Sequence, residues 1–444
     1  MTEYSIKTKT GEFLGLESDD CYIFKGIPYA RAGRFEYAAV LSDYDKPIDA
    51  RTPGPACMQK RAWPEFEHLE IPERQFYHKE YRDGQFFTYD EENSLNLNIF
   101  MPKSGDNLPV IVFFHGGGFD SGCINESPFD GTGLASRGCI VVFAQYRVSV
   151  FGYFTHEDIF SLNGRDGNFG LDDMVVALNW VKMNISQFNG NPDNVTVMGQ
   201  SAGAMSIQYL LCSPKTDGLF GKAVMLSGAG LFPKFSLPRP CEQTRAYWTE
   251  VMELCGCRTL DEIKNISPKK LLEGVEKQKS LRKDNTFNTM PVIDHHLLPE
   301  GVDKLISGAK NMPLIIGITN NDMYTFLLAH VSKKYAKKHG AYLYYFDVDA
   351  PGDGNKAFHS SDIRYVFGTL SSSWRPYTEK DYAISRNMMD YLASFSATGN
   401  PNHEGAPKWE PYTGKVLRIS RKGTGMGRTD NIKLLLNTLK GDPK

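Results

Sequence analysis

From Leu95 onward the chain carries short apolar runs, each bounded by polar or turn-forming residues. They are Leu95–Phe100, Val110–Phe114, Ile140–Ala144, Val195–Met198, Ala223–Leu226, Leu314–Ile318 and Tyr342–Phe346. Runs of this length, rich in Val, Ile and Phe, predict buried strands rather than helices. Helical spacing of apolar residues lies between several of them, at Leu171–Ile185, Ala246–Leu254 and Tyr382–Phe395. Strands alternating with helices predict an α/β fold, with a mainly parallel or mixed sheet and helices on both faces. Near the start, β-like runs at Tyr4–Thr8, Glu12–Leu14 and Cys21–Phe24 predict a small antiparallel sheet. Residues 51–93 break the pattern. Pro53, Pro55, Pro64 and Pro72 interrupt them, and Phe76, Tyr77, Tyr81, Phe86, Phe87 and Tyr89 crowd together, so an irregular segment is expected there. With no repeat and no low-complexity linker, one domain spanning residues 1–444 is expected.

Composition narrows the class. Of 444 residues, 41% are apolar and 23% charged, and the formal net charge is −2. These values fit a water-soluble globular protein and argue against nucleic-acid or membrane partners. The first residues, Met1 to Thr8, lack the apolar core of a signal peptide, and no run of about 18 apolar residues occurs. Eight cysteines are scattered, and Cys255-Gly256-Cys257 is tighter than a metal knuckle. Reduced thiols in a cytoplasmic protein are expected, with no cofactor and no metal.

The chemistry enters at Val195-Thr196-Val197-Met198-Gly199-Gln200-Ser201-Ala202-Gly203-Ala204. A strand runs into Gly-x-Ser-x-Gly and a helix-compatible stretch follows. A sharp strand-to-helix turn lifts a serine hydroxyl above the sheet edge, and the flanking glycines relieve the crowding. A hydroxyl so placed needs a base to become a nucleophile. Strand Val110–Phe114 runs into His115-Gly116-Gly117-Gly118-Phe119. A glycine loop there, with the N–H of Ala202, offers backbone donors to an oxyanion. The base should be a late histidine: His295 or His296, His330, or His359. His330 lies in a helical run, whereas His359 follows the last strand and a Gly/Pro/Asp loop, where α/β sheets place chemistry. The first acid beyond strand Leu314–Ile318 is Asp322, which would equally suit a helix N-cap.

Taken together these motifs resemble the type-B carboxylesterase family, the esterase/lipase group that includes the cholinesterases, within the α/β-hydrolase fold. Further segments carry the likeness: Phe24-Lys25-Gly26-Ile27-Pro28-Tyr29-Ala30, Asp166-Gly167-Asn168-Phe169-Gly170-Leu171-Asp172, Ala357-Phe358-His359-Ser360-Ser361-Asp362 and Thr398-Gly399-Asn400-Pro401-Asn402. The resemblance implies Ser201 as nucleophile, His359 as general base and acid, and Asp322 where the family usually has Glu. It also implies Gly117, Gly118 and Ala202 as oxyanion donors. The implied activity is hydrolysis of small uncharged esters through an acyl-enzyme. A thioesterase, lactonase or amidase would share these motifs, and a non-catalytic cholinesterase-like binding protein is disfavoured because Ser201 and His359 are both present.

Four departures stand out. Cys57 resembles the first cysteine of a disulfide loop, but its expected partner position reads Asn93-Ser94-Leu95. Gln200 stands where cholinesterases have Glu. Trp63 is the sole tryptophan between Cys57 and Ser94, far from a choline-binding position. Asp322 and His359 are also only 37 positions apart. That is shorter than is usual in the family, and it implies a truncated cap and a shallow, open site. The aromatics from Phe76 to Tyr89 are a candidate for the remaining wall.

Overall fold

The structure is a computed structural model. It describes residues 1–63, 72–81, 87–230, 238–282, 288–299, 309–322 and 325–429. Its frame is a sheet built from β1 (Thr2–Lys7), β2 (Glu12–Glu17), β3 (Cys21–Pro28), β7 (Asn96–Pro102), β8 (Leu108–Phe114), β9 (Ile140–Ala144), β10 (Gly190–Gln200), β11 (Lys222–Leu226), β12 (Leu314–Thr319), β13 (Tyr342–Asp347), β14 (Val416–Ser420) and β15 (Gly423–Gly427). The spatial order is β1-β2-β3-β7-β9-β8-β10-β11-β12-β13-β14-β15, with the short β6 (Ile48–Asp49) beside β2. From β9 to β14 every pairing is parallel. The first four strands and β15 pair antiparallel, so the antiparallel start runs on into the central sheet. A separate antiparallel pair joins β4 (Ala30–Arg31) and β5 (Ala39–Val40).

Strand β8 shows why the apolar runs are uninterrupted. Val110, Val112 and Phe114 enter one core, and Ile111 and Phe113 the other. Both faces of a parallel sheet are covered, so both sets of side chains must be apolar. One core receives α5 (Phe169–Asn184), α6 (Ala202–Leu210), α7 (Cys241–Leu254) and α10 (Thr325–His339). The other receives α11 (Ile363–Phe367) and α12 (Glu379–Thr398). The helices expected at Leu171–Ile185, Ala246–Leu254 and Tyr382–Phe395 are present and begin two to five residues earlier.

The segment expected to be irregular holds one helix, α1 (Pro72–Tyr81). Pro72 suits a first helical position, and Phe76 with Glu80 and Tyr77 with Tyr81 fall four apart, on one side. Phe86 lies outside the described residues. No helix among the described residues is long and apolar enough to cross a membrane. No disulfide joins any of the eight cysteines, Cys57 included.

Candidate active site

Strands β8, β10, β11, β12 and β13 are consecutive neighbours in the parallel block, so the segments leaving their carboxyl ends meet along one edge. The order β9-β8-β10 also reverses direction at β8, the kind of switch point where open α/β sheets hold ligands.

Ser201 follows β10 directly, with φ 55° and ψ −122°, a conformation that non-glycine residues seldom adopt. The turn is as crowded as its sequence implies. A Cβ on Gly199 would lie 2.6 Å from the Gly203 carbonyl carbon, and one on Gly203 would lie 2.1 Å from the Phe114 carbonyl oxygen. The glycine loop leaving β8 reaches this turn, since a Cβ on Gly116 would sit 3.0 Å from the Ser201 Cβ.

A buried histidine holds that loop. The His115 ring stacks on Tyr146 at 4.4 Å. Its Nδ1 lies 2.7 Å from the Gly116 oxygen, and its Nε2 lies 3.1 Å from the Gln145 amide nitrogen. Burial pushes its pKa down to about 4, so the ring is neutral, donating from Nδ1 and accepting at Nε2. The Tyr146 hydroxyl donates to the His115 oxygen at 2.7 Å. The amides of Asp120 and Ser121 both donate to the Gly117 oxygen at 3.1 Å. With the loop pinned this way, the amides of Gly117, Gly118 and Ala202 have no hydrogen-bond partner among the described residues. Ala202 opens α6, where a helix leaves its first N–H groups unpaired.

Asp322 follows β12 and is 2% exposed. Its Oδ1 accepts from His359 Nδ1 at 2.5 Å. Its Oδ2 accepts from the Ser227 hydroxyl at 2.6 Å and from the Thr319 amide at 3.1 Å. Burial alone would raise this carboxyl's pKa, but His359, Ser227 and Thr319 together hold it below the ordinary value. The two segments are also tied through their backbones: the Asn321 amide donates to the Ala357 oxygen at 2.8 Å, and Asn321 bridges Phe358.

The other face of His359 meets groups from two elements. Its Nε2 lies 3.1 Å from the amide nitrogen of Gln200. From α1, the Tyr77 ring approaches edge-on at 6.4 Å, and Phe76 packs on Phe358 at 4.9 Å. The aromatic segment therefore does border the histidine. Asp362, three residues on, is fully buried; its Oδ2 accepts from the Tyr344 hydroxyl at 2.5 Å, and its Oδ1 has no partner among the described residues. Burial, opposed by Tyr344 and aided by nearby Asp322, raises its pKa to about 6.

The rival histidines sit elsewhere. His330 is exposed on α10. His295 is exposed in a turn where Asp294 Oδ1 accepts from the amides of His296, Leu297 and Leu298. Sequence reasoning did not single out Ser227 or the pairing of Asp362 with Tyr344. Only the position of Ser227, one residue past a buried strand, hinted at a site. Among the described residues no group of three or more His, Cys, Asp or Glu side chains is arranged to hold a metal ion.

The chain is also similar to known proteins over most of its length. The model of the carboxylesterase family matches residues 2–340 and 326–434. The para-nitrobenzyl esterase of Bacillus subtilis is 31% identical over 480 aligned positions, covering 93% of each chain. Human cocaine esterase is 28% identical, covering 93% of this chain and 89% of its own. A solved PNB esterase superposes with a TM-score of 0.82 at 27% identity, over 98% of this chain and 99% of that one.

Proposed function

Because the chain belongs to the carboxylesterase family and is a carboxylic ester hydrolase, we propose that it works through Ser201, His359 and Asp322. In this reading His359 Nε2 takes the Ser201 proton as Oγ attacks the ester carbonyl. Asp322 holds Nδ1–H and stabilises the imidazolium that forms. The amides of Gly117, Gly118 and Ala202 receive the oxyanion. The imidazolium returns its proton to the leaving alcohol, and an acyl group remains on Ser201. A water activated by the same imidazole then releases the acid.

The observation that carries this reading is the 2.5 Å bond between His359 and Asp322, made at the strand edge where Ser201 is held in its strained turn. The glycine loop beside Ser201 and the rings of Phe76 and Tyr77 near His359 support small uncharged esters as substrates, and the Bacillus subtilis relative is a para-nitrobenzyl esterase. The absence of any disulfide supports a reducing, cytoplasmic setting.

The test is a set of single substitutions. Ser201→Ala and His359→Ala should each lower kcat by roughly 10⁴–10⁶-fold with the fold intact, and the double variant should be little worse. Asp322→Asn should cost roughly 10⁴-fold. A fluorophosphonate should label Ser201, found by mass spectrometry of the modified peptide. Labelling at another serine, or an active Ser201→Ala enzyme, overturns the assignment.

A further inference from the structure

The imidazole of His359 has a hydrogen-bond partner at each nitrogen. Asp322, an ionised acceptor, requires a proton on Nδ1. Nε2 is then an acceptor with a single in-plane lone pair, and the group opposite it at 3.1 Å is the Gln200 amide nitrogen, a donor. Asp322 thereby fixes which way the Gln200 amide points. Gln200 is only 4% exposed, so its N–H has no ready exchange with solvent. The far end of the amide is confined too, because a Cβ on Gly116 would lie 2.7 Å from Gln200 Oε1.

We propose that Gln200 is a positioning residue that latches the resting enzyme, its amide N–H occupying the Nε2 lone pair that the Ser201 hydroxyl must use. This rests on the assignment of Ser201 and His359 made above. The latch has two consequences. It locks the imidazole in the tautomer that acts as a base, because only a bare Nε2 can accept the amide. It also opposes protonation at Nε2, because an Nε2–H would face an N–H with no acceptor between them. The proton of Ser201 moves to Nε2 only as the Gln200 amide gives up that lone pair. A carboxylate at position 200 would do the reverse and stabilise the imidazolium.

Among the described residues, the charged and titratable groups facing His359 include Asp322 after β12, Asp362 on its own loop with Tyr344 of β13 behind it, and Tyr77 of α1. None of these changes when Gln200 is replaced, so a shift in the histidine's titration reports on position 200.

The experiment compares wild type, Gln200→Met and Gln200→Glu in two ways. The first is kcat/KM for para-nitrophenyl acetate from about pH 5 to pH 9. The second is the ¹⁵N shift of the His359 ring in the Ser201→Ala background, which needs no turnover. The acid limb and the ring titration should both be lowest in wild type, higher in Gln200→Met, and higher again in Gln200→Glu by about one pH unit or more. A merely structural role would lower activity or the unfolding midpoint and leave the titrations coincident. Coincident titrations, or a wild-type value above that of Gln200→Met, overturn the latch. An active Ser201→Ala protein overturns the underlying assignment instead, and the ring titration still reads the latch separately.

Discussion

At the scale of single residues, the site joins groups whose roles depend on what faces them. Asp322 and Asp362 are both buried near one histidine, yet they are pushed in opposite directions. Asp322 accepts from His359, Ser227 and Thr319, which outweigh its burial, and its pKa is lowered. Asp362 has Tyr344 on one oxygen and no described partner on the other, and its pKa rises from 3.8 to about 6. The folded protein therefore binds a proton at Asp362 that the unfolded chain releases, and stability falls as pH rises between those values. The loss across the window is about 3 kcal/mol. Asp322 acts with the opposite sign and below 3.8, so the two windows do not overlap. His115, held down to about 4, makes stability rise with pH over nearly the same window, so the Asp362 contribution is read as a difference between proteins. In thermal unfolding from about pH 4 to pH 7, the stability of Asp362→Asn relative to wild type should rise by about 3 kcal/mol. A pH dependence unchanged in the variant would show that Asp362 does not contribute. The nucleophile turn and the glycine loop were legible in sequence because local crowding demands glycine at fixed spacing. Ser227 was not, because its role exists only once β11 and β12 lie side by side.

At the scale of elements, α1 shows where sequence pattern stops. Its aromatics drew attention as a wall, but not as a helix. A ten-residue helix is marginal alone and depends on its partners. Those partners are distant in sequence. Arg375 donates to the Glu80 carboxylate at 2.8 Å and to Asp353 at 2.8 Å, with the Arg375 side chain fully buried and Glu80 nearly so. Trp374 donates to Glu80 at 3.0 Å, and Arg364 donates to the Glu80 backbone oxygen at 2.5 Å. Breaking the buried pair from one side strands a charge and costs about 3–5 kcal/mol. Arg375→Met should lower the unfolding midpoint accordingly, and Glu80→Gln added to it should recover part of the loss. Because Phe76 and Tyr77 ride on the same helix against Phe358 and His359, KM should rise in Arg375→Met more than kcat falls. Equal changes in both would detach α1 from the substrate wall.

At the scale of the whole molecule, the parallel block was readable because a strand covered on both faces must be apolar throughout. The edges were not: β15 is Gly423-Thr424-Gly425-Met426-Gly427, a strand by pairing with β14 and not by any pattern of its own. The same economy governs the substrate side. Only 37 positions separate Asp322 from His359, and α10 with 15 residues and β13 with 6 take up most of them. Little of that span is left to build a cap over Ser201, and among the described residues Tyr77 of α1 borders His359. A site walled from one side buries less of its substrate and discriminates less by size. Binding energy lost in this way raises KM before it lowers kcat. A series of para-nitrophenyl esters from acetate to octanoate should therefore show kcat/KM changing gradually, within about tenfold across the series, with a high KM for the shortest members. A sharp cutoff beyond propionate would mean that an acyl pocket is closed by other parts of the chain, and the link from the short span to an open site would fail.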